Sequence, residues 1–564
     1  MFIVCGLVAL AAVASVALAA TASAAAAAPR PAKAPQRRVV LLGLRQRGHP
    51  IRFASEVSNP ASRHYRHFLS LHRYVKRFST RASGRRRVLT YLRSRPGVVS
   101  LRVSGDRSVI LAVVTPQAGR RLFCAKGDAP PDGGLCEPSA IRRFVRQISV
   151  GEVYQLGAGA RRGQPTPTGS SAARSCAAAT AHGAFTPRQL STAYDVDPLH
   201  AHGLNGSGIR VATLSSQEVD ASGFATWARC FGLRAPVVRQ FAMPGASPAT
   251  ATAPEETVLD IEALASLAPR LQRIIPIFVP LDQSFTNSFL LFMVGALDPA
   301  RQGGTLPNVL SISDGVCERR FTRGQLELGE RLLAEAAALG ITTLAASGDL
   351  GFQGCFINKP GTLFPASSPF STGVGGTTLT LTPSDQLASQ VVWSTFATDP
   401  AQGVGTGGGP SRMWRRPGFQ RAPGVTRRLQ RGALTRLVPD IAAMASFTPG
   451  LAVFDKGGGG WGIGGGTSAA TPLEAAIVTL VLQQERRAGR PPLGSLAPLL
   501  YRLARGPGYS TIFSDITEGT SSRHPTSAAG RSPAGGAAQP GYDLATGLGS
   551  LKADAFASAV ASVG

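Results

Sequence analysis

Residues 324–351, GQLELGERLLAEAAALGITTLAASGDLG, decide the fold class of this chain. Apolar residues recur with a helical period from Gly324 to Leu339, and Gly340 ends the helix. The run Ile341–Ala346 that follows has the length and composition of a buried strand. A helix that leads directly into an apolar strand is typical of a parallel sheet covered by helices. The stretch therefore predicts an α/β domain.

Other segments after about residue 186 repeat this alternation. We predict strands at Ile209–Leu214, Arg273–Val279 and Asn308–Ser313 and a helix at Thr257–Leu267. Short apolar strands separated by helices imply a parallel sheet with helices on both faces. Active sites in such sheets lie at the carboxyl ends of the strands. By contrast, residues 37–158 alternate short strand-like and helix-like patches, which predicts a small α+β unit.

The first residues differ from the rest of the chain. Residues 2–28 are almost wholly apolar and end in small residues before Arg30. This pattern is typical of a signal peptide over residues 1–28, with a membrane anchor as the alternative. No later stretch has 18 consecutive apolar residues, so we expect no membrane contact once the signal is removed.

Positive charge is concentrated in the N-terminal third. The formal net charge is +27, and residues 1–175 contain 29 Lys and Arg against six Asp and Glu. Such a basic segment could bind nucleic acid or another anionic surface, or it could cover an acidic cleft of the same chain. No nucleic-acid-binding motif accompanies the charge, so we favour a pro-segment over 29–156. Residues 157–175, rich in Gly, Pro, Ser, Thr and Arg, predict an exposed processing linker before a domain over 176–564.

The sharpest chemical signal is the segment GGGTSAATP at residues 464–472, which runs into an apolar helix at Leu473–Gln484. Ser468 is presented where a glycine-rich loop becomes a helix, beside main-chain N–H groups and the positive helix end. An ordinary helix N-cap is the alternative. A Ser-His-Asp triad is poorly supported, because no histidine in the C-terminal part has a suitable sequence context.

Carboxylates are better placed to serve such a serine. Glu256 and Asp260 lie four residues apart on one face of a predicted helix, where burial would make them share a proton. Asp349 follows the strand Ile341–Ala346, at the sheet edge where catalytic groups belong. The alternatives are a solvated acidic helix face for the first two residues and a turn for the third.

These three segments resemble, in the correct order, the motifs of the sedolisin family of serine-carboxyl peptidases. The family pattern combines a Glu-x-x-x-Asp helix, a Ser-Gly-Asp segment and a Gly-Thr-Ser-x-x-x-Pro segment. Thr186–Tyr194 also resembles the family's mature N-terminus, and His64–Leu69 resembles its activation prodomain. The resemblance implies a subtilisin-like, seven-stranded parallel sheet with helices on both faces, preceded by a small α+β, ferredoxin-like prodomain.

Carried over to this sequence, the resemblance makes Ser468 the nucleophile and Glu256 its general base. Asp260 becomes the partner that orients Glu256, and Asp349 takes the oxyanion-hole position. Glu256 must then accept a proton while Asp349 must be protonated to donate a hydrogen bond. Both states coexist only at low pH, near the pKa values of carboxyl groups, so we expect acid-dependent activity.

The resemblance does not extend to every position. Asp314 follows Ser313 where some members have an aromatic residue, and Ser215-Ser216 stands where some have Glu. The resemblance therefore carries no extended proton network over to this chain.

A calcium site is also implied by the resemblance. The segments at 513–517 and 539–543 look like the two halves of the family's site for one structural Ca²⁺ ion. Asp515 and Asp543 would contribute carboxylates, and Ile516, Gln539 and Gly541 would contribute main-chain carbonyls. Oxygen ligands from loops suit this hard cation. Two loops with turn-forming Asp residues are the alternative.

Six cysteines remain after the signal segment, and none forms a Cys-x-x-Cys pair. An even number in an exported chain suggests disulfides, with 15 possible pairings. Cys317–Cys355 is implied by a disulfide of some relatives, locality favours Cys124–Cys136, and Cys176–Cys230 is the remaining pair.

We therefore predict a secreted, extracellular, monomeric enzyme that acts on peptide and protein substrates.

 The chain is expected to act as an endopeptidase made as a self-activating proenzyme, with its own prodomain as an intramolecular inhibitor and no nucleic-acid partner. Three alternatives stay open: a tripeptidyl-peptidase of the same family, an inactive secreted calcium-binding relative, and a surface protein that binds anionic polymers through its basic half.

Overall fold

The computed structural model describes residues 37–123, 138–153, 175–180, 183–215, 219–246, 255–280, 286–352, 354–355, 361–400, 403–421, 434–457, 459–522 and 536–563. The predicted signal peptide, nearly all of the predicted linker, Cys124 and Cys136 lie outside the described residues. No helix within the described ranges is long and apolar enough to cross a membrane.

Residues 37–153 form an α+β layer, which we call the N-terminal layer. Its elements in chain order are β1 (Arg37–Leu44), α1 (Pro50–Ser58), α2 (Leu71–Phe78), α3 (Ala82–Arg93), β2 (Val98–Val103), β3 (Val109–Val114), α4 (Pro116–Phe123) and β4 (Val145–Val153). The strands form an antiparallel sheet in the order β2-β3-β1-β4. This order, with helices in the two crossovers, is the ferredoxin-like arrangement that the resemblance implied.

The larger part of the chain begins with a short 3-10 turn and builds the main sheet. Its first elements are α5 (Pro187–Ala193), α6 (Asp197–Ala201), β5 (Arg210–Ser215), α7 (Ala221–Cys230), β6 (Phe241–Ala242), α8 (Glu255–Leu267), β7 (Arg273–Phe278), α9 (Thr286–Ala296), β8 (Val309–Ile312), β9 (Val316–Cys317), α10 (Arg323–Ala338), β10 (Thr342–Ala346), β11 (Leu350–Phe352), β12 (Leu363–Phe364) and β13 (Thr372–Leu381).

The remaining elements complete this sheet and cover it. They are β14 (Leu387–Val392), β15 (Gly405–Arg415), β16 (Thr435–Val438), β17 (Ile441–Met444), β18 (Leu451–Asp455), β19 (Gly460–Gly464), α11 (Gly466–Arg487), α12 (Ala497–Leu503), α13 (Tyr509–Ile512), β20 (Phe513–Ser514), β21 (Ser550–Leu551) and α14 (Ala553–Val563).

The main sheet contains seven mutually parallel strands in the order β6-β7-β5-β8-β10-β13-β17. The antiparallel strand β14 pairs with the far end of β13 and was not predicted. The predicted subtilisin-like parallel sheet is therefore confirmed. One apolar core joins α8 and α11 to one face of the sheet, and a second core joins α9 and α10 to the other face.

The N-terminal layer shares the second core. Val39 and Leu41 of β1 pack into this core with residues of α9 and α10. Val40 and Leu42 point to the opposite side of β1 and pack with Val88 of α3. Both faces of this strand are therefore buried, which explains its unbroken apolar sequence.

The helix that carries Ser468 starts earlier than the sequence indicates. We predicted a helix from Leu473, after Pro472, but α11 begins at Gly466 and includes this proline. Proline has no N–H, so the helix cannot make the usual hydrogen bond to the carbonyl of Ser468. The hydroxyl of Ser313 lies 3.2 Å from that carbonyl oxygen and shares its single proton between it and Oδ1 of Asp260.

Two of the three predicted disulfides are present. Cys176 is bonded to Cys230, and Cys317 is bonded to Cys355. The third predicted pair, Cys124 and Cys136, lies outside the described residues.

Candidate active site

A cleft of about 440 Å³ lies at the carboxyl ends of the central strands. Ser468 lines it from the start of α11, and Asp349 lines it from the loop after β10. The segment between β8 and β9 and the disulfide Cys317–Cys355 form another wall. The position of the cleft follows from the parallel sheet, because the strands of such a sheet all end at the same edge.

The start of α11 shows why its glycines are needed. Gly466 has φ +76°, and a Cβ atom there would lie 2.6 Å from Oδ2 of Asp349. A side chain at this position would therefore strain the backbone and displace the carboxyl group. The glycine lets the nucleophile helix approach Asp349 closely.

Glu256 lies at the start of α8 and contacts the predicted nucleophile. Its carboxyl group forms a side-chain hydrogen bond with Ser468. Burial, followed by the neighbouring carboxyl of Asp260, raises the pKa of Glu256 well above its usual value, and the hydrogen bond to Ser468 acts in the opposite direction. Its Oε1 atom is buried and has no hydrogen-bond partner among the described residues.

Asp260 lies one turn further along α8 and is fully buried. Thr213 of β5 donates a hydrogen bond to its Oδ2 atom, and Ser313 donates one of 2.5 Å to its Oδ1 atom. Burial nevertheless raises the pKa of Asp260 to about 8. The two hydroxyl groups fix this carboxyl group beside Glu256, one helical turn away.

Asp349 is held by the residue that precedes Ser468. The main-chain N–H and the hydroxyl of Thr467 each donate a hydrogen bond of 2.8 Å to its Oδ1 atom. Burial raises the pKa of Asp349, whereas the two hydrogen bonds from Thr467 lower it. The net shift is upward, so this carboxyl group keeps its proton to a higher pH than an exposed aspartate does.

The structure thus brings Ser468, Glu256 and Asp349 to one cleft and places Asp260 directly behind Glu256. Sequence reasoning missed the supporting hydroxyl groups of Thr213 and Thr467, since threonine in a strand or a helix start carries no distinctive signal. It also set Asp314 aside. The position of Asp314 directly after a predicted strand was a usable signal, because the ends of parallel strands line the active site.

The predicted metal ligands also come together. Gly541 donates a main-chain hydrogen bond of 2.8 Å to Oδ2 of Asp515, and Gln539 donates one of 3.4 Å to Oδ2 of Asp543. Ile516 is buried next to Asp515. No group of three or more His, Cys, Asp or Glu side chains within the described ranges could hold a metal ion. The predicted site has only two acidic side chains and otherwise uses main-chain oxygens, and this donor chemistry fits a hard cation.

The fold and the cleft together define a class. The seven-stranded parallel sheet is that of a subtilisin-like domain. A serine at the start of a buried helix forms a hydrogen bond with a carboxyl group, which is the arrangement of a candidate serine-carboxyl site. The solved structure of Pseudomonas sedolisin, a serine-carboxyl proteinase complexed with two molecules of pseudo-iodotyrostatin, matches with a TM-score of 0.56. It is 22% identical and covers 67% of this chain and 98% of that chain, which shows the fold.

Sequence comparisons show similarity to known peptidases. Kumamolisin from Bacillus sp. (strain MN-32) is 33% identical over 378 residues, which are 65% of this chain and 62% of kumamolisin. Tripeptidyl-peptidase 1 from Homo sapiens is 32% identical over 219 residues, which are 35% of this chain and 34% of that protein. No protein-family profile matches the chain. The chain is therefore similar to members of the sedolisin family of serine-carboxyl peptidases, and it spans less than two thirds of the length of these relatives.

Proposed function

We propose that this protein is a secreted serine-carboxyl endopeptidase that works at acidic pH. The observation that carries the proposal is the hydrogen bond between Ser468 and Glu256 at a cleft that Asp349 also lines. Similarity to kumamolisin supports a serine-type peptidase, and the chain spans 62% of the length of kumamolisin. The two disulfides are typical of a chain that folds in an oxidising compartment.

The proposed reaction proceeds through an acyl-enzyme. Oγ of Ser468 attacks the scissile carbonyl carbon while Glu256 takes the hydroxyl proton. The oxyanion that forms accepts a hydrogen bond from the protonated carboxyl group of Asp349. Glu256 then gives its proton to the leaving amine, the C–N bond breaks, and the acyl group stays on Ser468. A water molecule, deprotonated by Glu256, hydrolyses this ester and regenerates the hydroxyl group.

The chemistry explains the expected pH range. Asp349 donates to the oxyanion only while it is protonated, and its raised pKa extends this state upward from the usual range of an aspartate. As the pH rises through that pKa, the ionised carboxylate repels the oxyanion, and activity is lost. At the acidic end, protonation of Glu256 removes the base. The proposed mechanism therefore requires the pair Glu256 and Asp260 to release a proton at a lower pH than Asp349 does.

We also propose that the N-terminal layer is an activation prodomain. It is strongly basic, and it packs on α9 and α10 through buried apolar contacts. Arg66 also forms a buried ion pair of 2.7 Å with Glu485 of α11. None of the described residues that line the cleft belongs to this layer. If processing is autocatalytic, a purified Ser468→Ala variant will stay full length at pH 4 while the wild type is cleaved. Normal maturation of the pure variant would exclude autoprocessing.

A structural calcium ion completes the proposal. Asp515 and Asp543 with the main-chain oxygens of Ile516, Gln539 and Gly541 would hold it. The ion would tie the loop after β20 to the segment before β21. It supplies no step of the reaction, and its expected effect is on stability.

An exopeptidase is the second candidate, because tripeptidyl-peptidase 1 is among the relatives. The two activities differ in whether the substrate needs a free amino terminus. Two internally quenched peptides of the same sequence, one with a free and one with an acetylated amino terminus, separate them. An endopeptidase cleaves both at similar rates, whereas a tripeptidyl-peptidase cleaves only the free peptide. Cleavage of neither by processed protein would favour an inactive, calcium-binding relative.

A further inference from the structure

We propose that Asp314 is a positioning residue of the active site, whose protonated carboxyl group donates a hydrogen bond to Glu256 and keeps Glu256 available as a base at acidic pH. The inference rests on the proposed function and concerns the same cleft. It assigns a role to a residue for which the family resemblance gives none.

The first argument is placement. Asp314 lines the cleft together with Ser468 and Asp349. It directly follows Ser313, whose hydroxyl group donates to Asp260. Its carboxyl group interacts electrostatically with both Glu256 and Asp260. Asp314 therefore belongs to one cluster of acidic groups around the predicted base.

The second argument is rigidity. Asp314 is enclosed between the end of β8 and the short strand β9, which pairs with β12. Cys317 of β9 is also bonded to Cys355. Gly315, the next residue, is tightly packed, since a Cβ atom there would lie 3.1 Å from the side chain of Leu363. The backbone that carries Asp314 is therefore fixed on both sides.

The third argument is an unmet hydrogen bond. Oε1 of Glu256 is buried and has no partner among the described residues, and an unpaired buried acceptor costs about 1–3 kcal/mol. An ionised Glu256 needs a donor at this atom. Thr213 and Ser313 donate to Asp260, and the carboxyl group of Asp314, which interacts with Glu256 electrostatically, is a further proton donor in the cluster.

The charges around Asp314 agree with this role. Glu256 and Asp260 face it from α8, Asp349 faces the cleft from the loop after β10, and Arg320 lines the same cleft. Burial raises the pKa of Asp314 to about 6. The group is therefore protonated in the acidic range in which the enzyme is proposed to work. A neutral donor lowers the pKa of Glu256, whereas a third negative charge would raise it.

The test compares the acidic limb of the pH dependence of kcat/KM in three proteins. Asp314→Ala removes the donor. The acidic limb of its kcat/KM profile should therefore shift to higher pH by about one unit, with about tenfold lower kcat/KM at pH 4. Asp314→Asn keeps an N–H donor that does not titrate, so its limb should stay at the wild-type position, with a loss of about two- to threefold. Glu330→Gln, a buried carboxyl outside the cleft, is the control and should not move the limb.

An unshifted limb in Asp314→Ala would overturn the inference, and so would an equal shift in both Asp314 variants. A second readout does not need activity. In the Ser468→Ala background, Asp314→Asn should remove one proton from the potentiometric titration, with a midpoint near pH 6. An unchanged titration would also refute the role. A wild-type protein without peptidase activity would instead contradict the proposed function and leave Asp314 to be judged by this titration.

Discussion

Thr467 donates two hydrogen bonds of 2.8 Å to a single atom, Oδ1 of Asp349, from its main-chain N–H and its hydroxyl group. Thr467 is also the residue before Ser468. The turn that presents the nucleophile therefore also fixes the acid that is proposed to stabilise the oxyanion. The second oxygen of this carboxyl group faces Gly466 and carries the proton in the proposed mechanism.

Replacing Thr467 by valine should change the pH dependence of the reaction. The hydroxyl group of Thr467 favours the ionised form of Asp349, so its removal raises the pKa of Asp349 further. The basic limb of kcat/KM should move to higher pH, and kcat/KM at the optimum should fall about tenfold because the carboxyl group is less well held. Thr479→Val, on the same helix but bonded only to Ala476, is the control. A basic limb that does not move would contradict the assignment of that limb to Asp349.

Asp349 itself can be replaced by a donor that does not titrate. Asp349→Asn should keep measurable activity and lose the decline of kcat/KM on the basic side, since an amide donates at every pH. Asp349→Ala should lose about 100- to 1000-fold in kcat, the usual effect of removing one oxyanion donor. Equal activity of the alanine variant and the wild type would show that Asp349 does not act on the oxyanion.

Buried glutamates should make the protein more stable in acid than at neutral pH. Burial raises the pKa of Glu474, on α11, to about 8. A carboxyl with a raised folded-state pKa stabilises fully below its unfolded-state pKa, and this stabilisation is lost as the pH rises to about 8. For Glu474 the loss is on the order of 4 kcal/mol.

The variant Glu474→Gln tests this loss by thermal unfolding at pH 4 and pH 8. We expect a Tm close to that of the wild type at pH 4 and a clearly higher Tm than the wild type at pH 8. Glu518→Gln, at an exposed position, should change neither value. A wild type with the same Tm at both pH values would contradict the assignment of raised pKa values to the buried carboxyl groups.

Removal of calcium should lower the stability of the protein. An ion present at 100 times its Kd stabilises the folded state by about 2.7 kcal/mol, so a chelator should lower the Tm of the wild type by several degrees. Asp515→Asn should remove most of this difference, whereas Asp554→Asn on α14 should retain it. Differential scanning calorimetry with and without chelator measures both. A wild type that is insensitive to the chelator would refute the calcium site.

Much of the fold could be predicted from sequence because its signals are local. The helix that ends at Gly340 and the strand after it are encoded in consecutive residues, and the structure places them at Arg323–Ala338 and Thr342–Ala346. The start of α11 could not be predicted in this way. A proline normally marks the start of a helix, but Pro472 lies inside α11. The carbonyl oxygen that it leaves without a helical donor contacts the hydroxyl group of the distant residue Ser313.

The residues of the candidate site also divide into those that local sequence marks and those that only distant contacts reveal. Ser468, Glu256 and Asp349 stand in motifs, so the sequence alone predicted them as candidate catalytic residues. Asp314 was signalled only by its place directly after a predicted strand. Thr213 contacts Asp260 from a distant part of the chain, and nothing in its local sequence marks it. Such contacts become visible only when the strands are placed side by side.

The most direct test of the central proposal is digestion of a blocked, internally quenched peptide between pH 3 and pH 7 by the processed wild type and by Ser468→Ala. We predict cleavage that peaks in the acidic range for the wild type and a loss of at least about 1000-fold in the variant, because the nucleophile is missing. Cleavage by Ser468→Ala at the wild-type rate, or a wild type that is most active at neutral pH, would contradict the proposed serine-carboxyl mechanism.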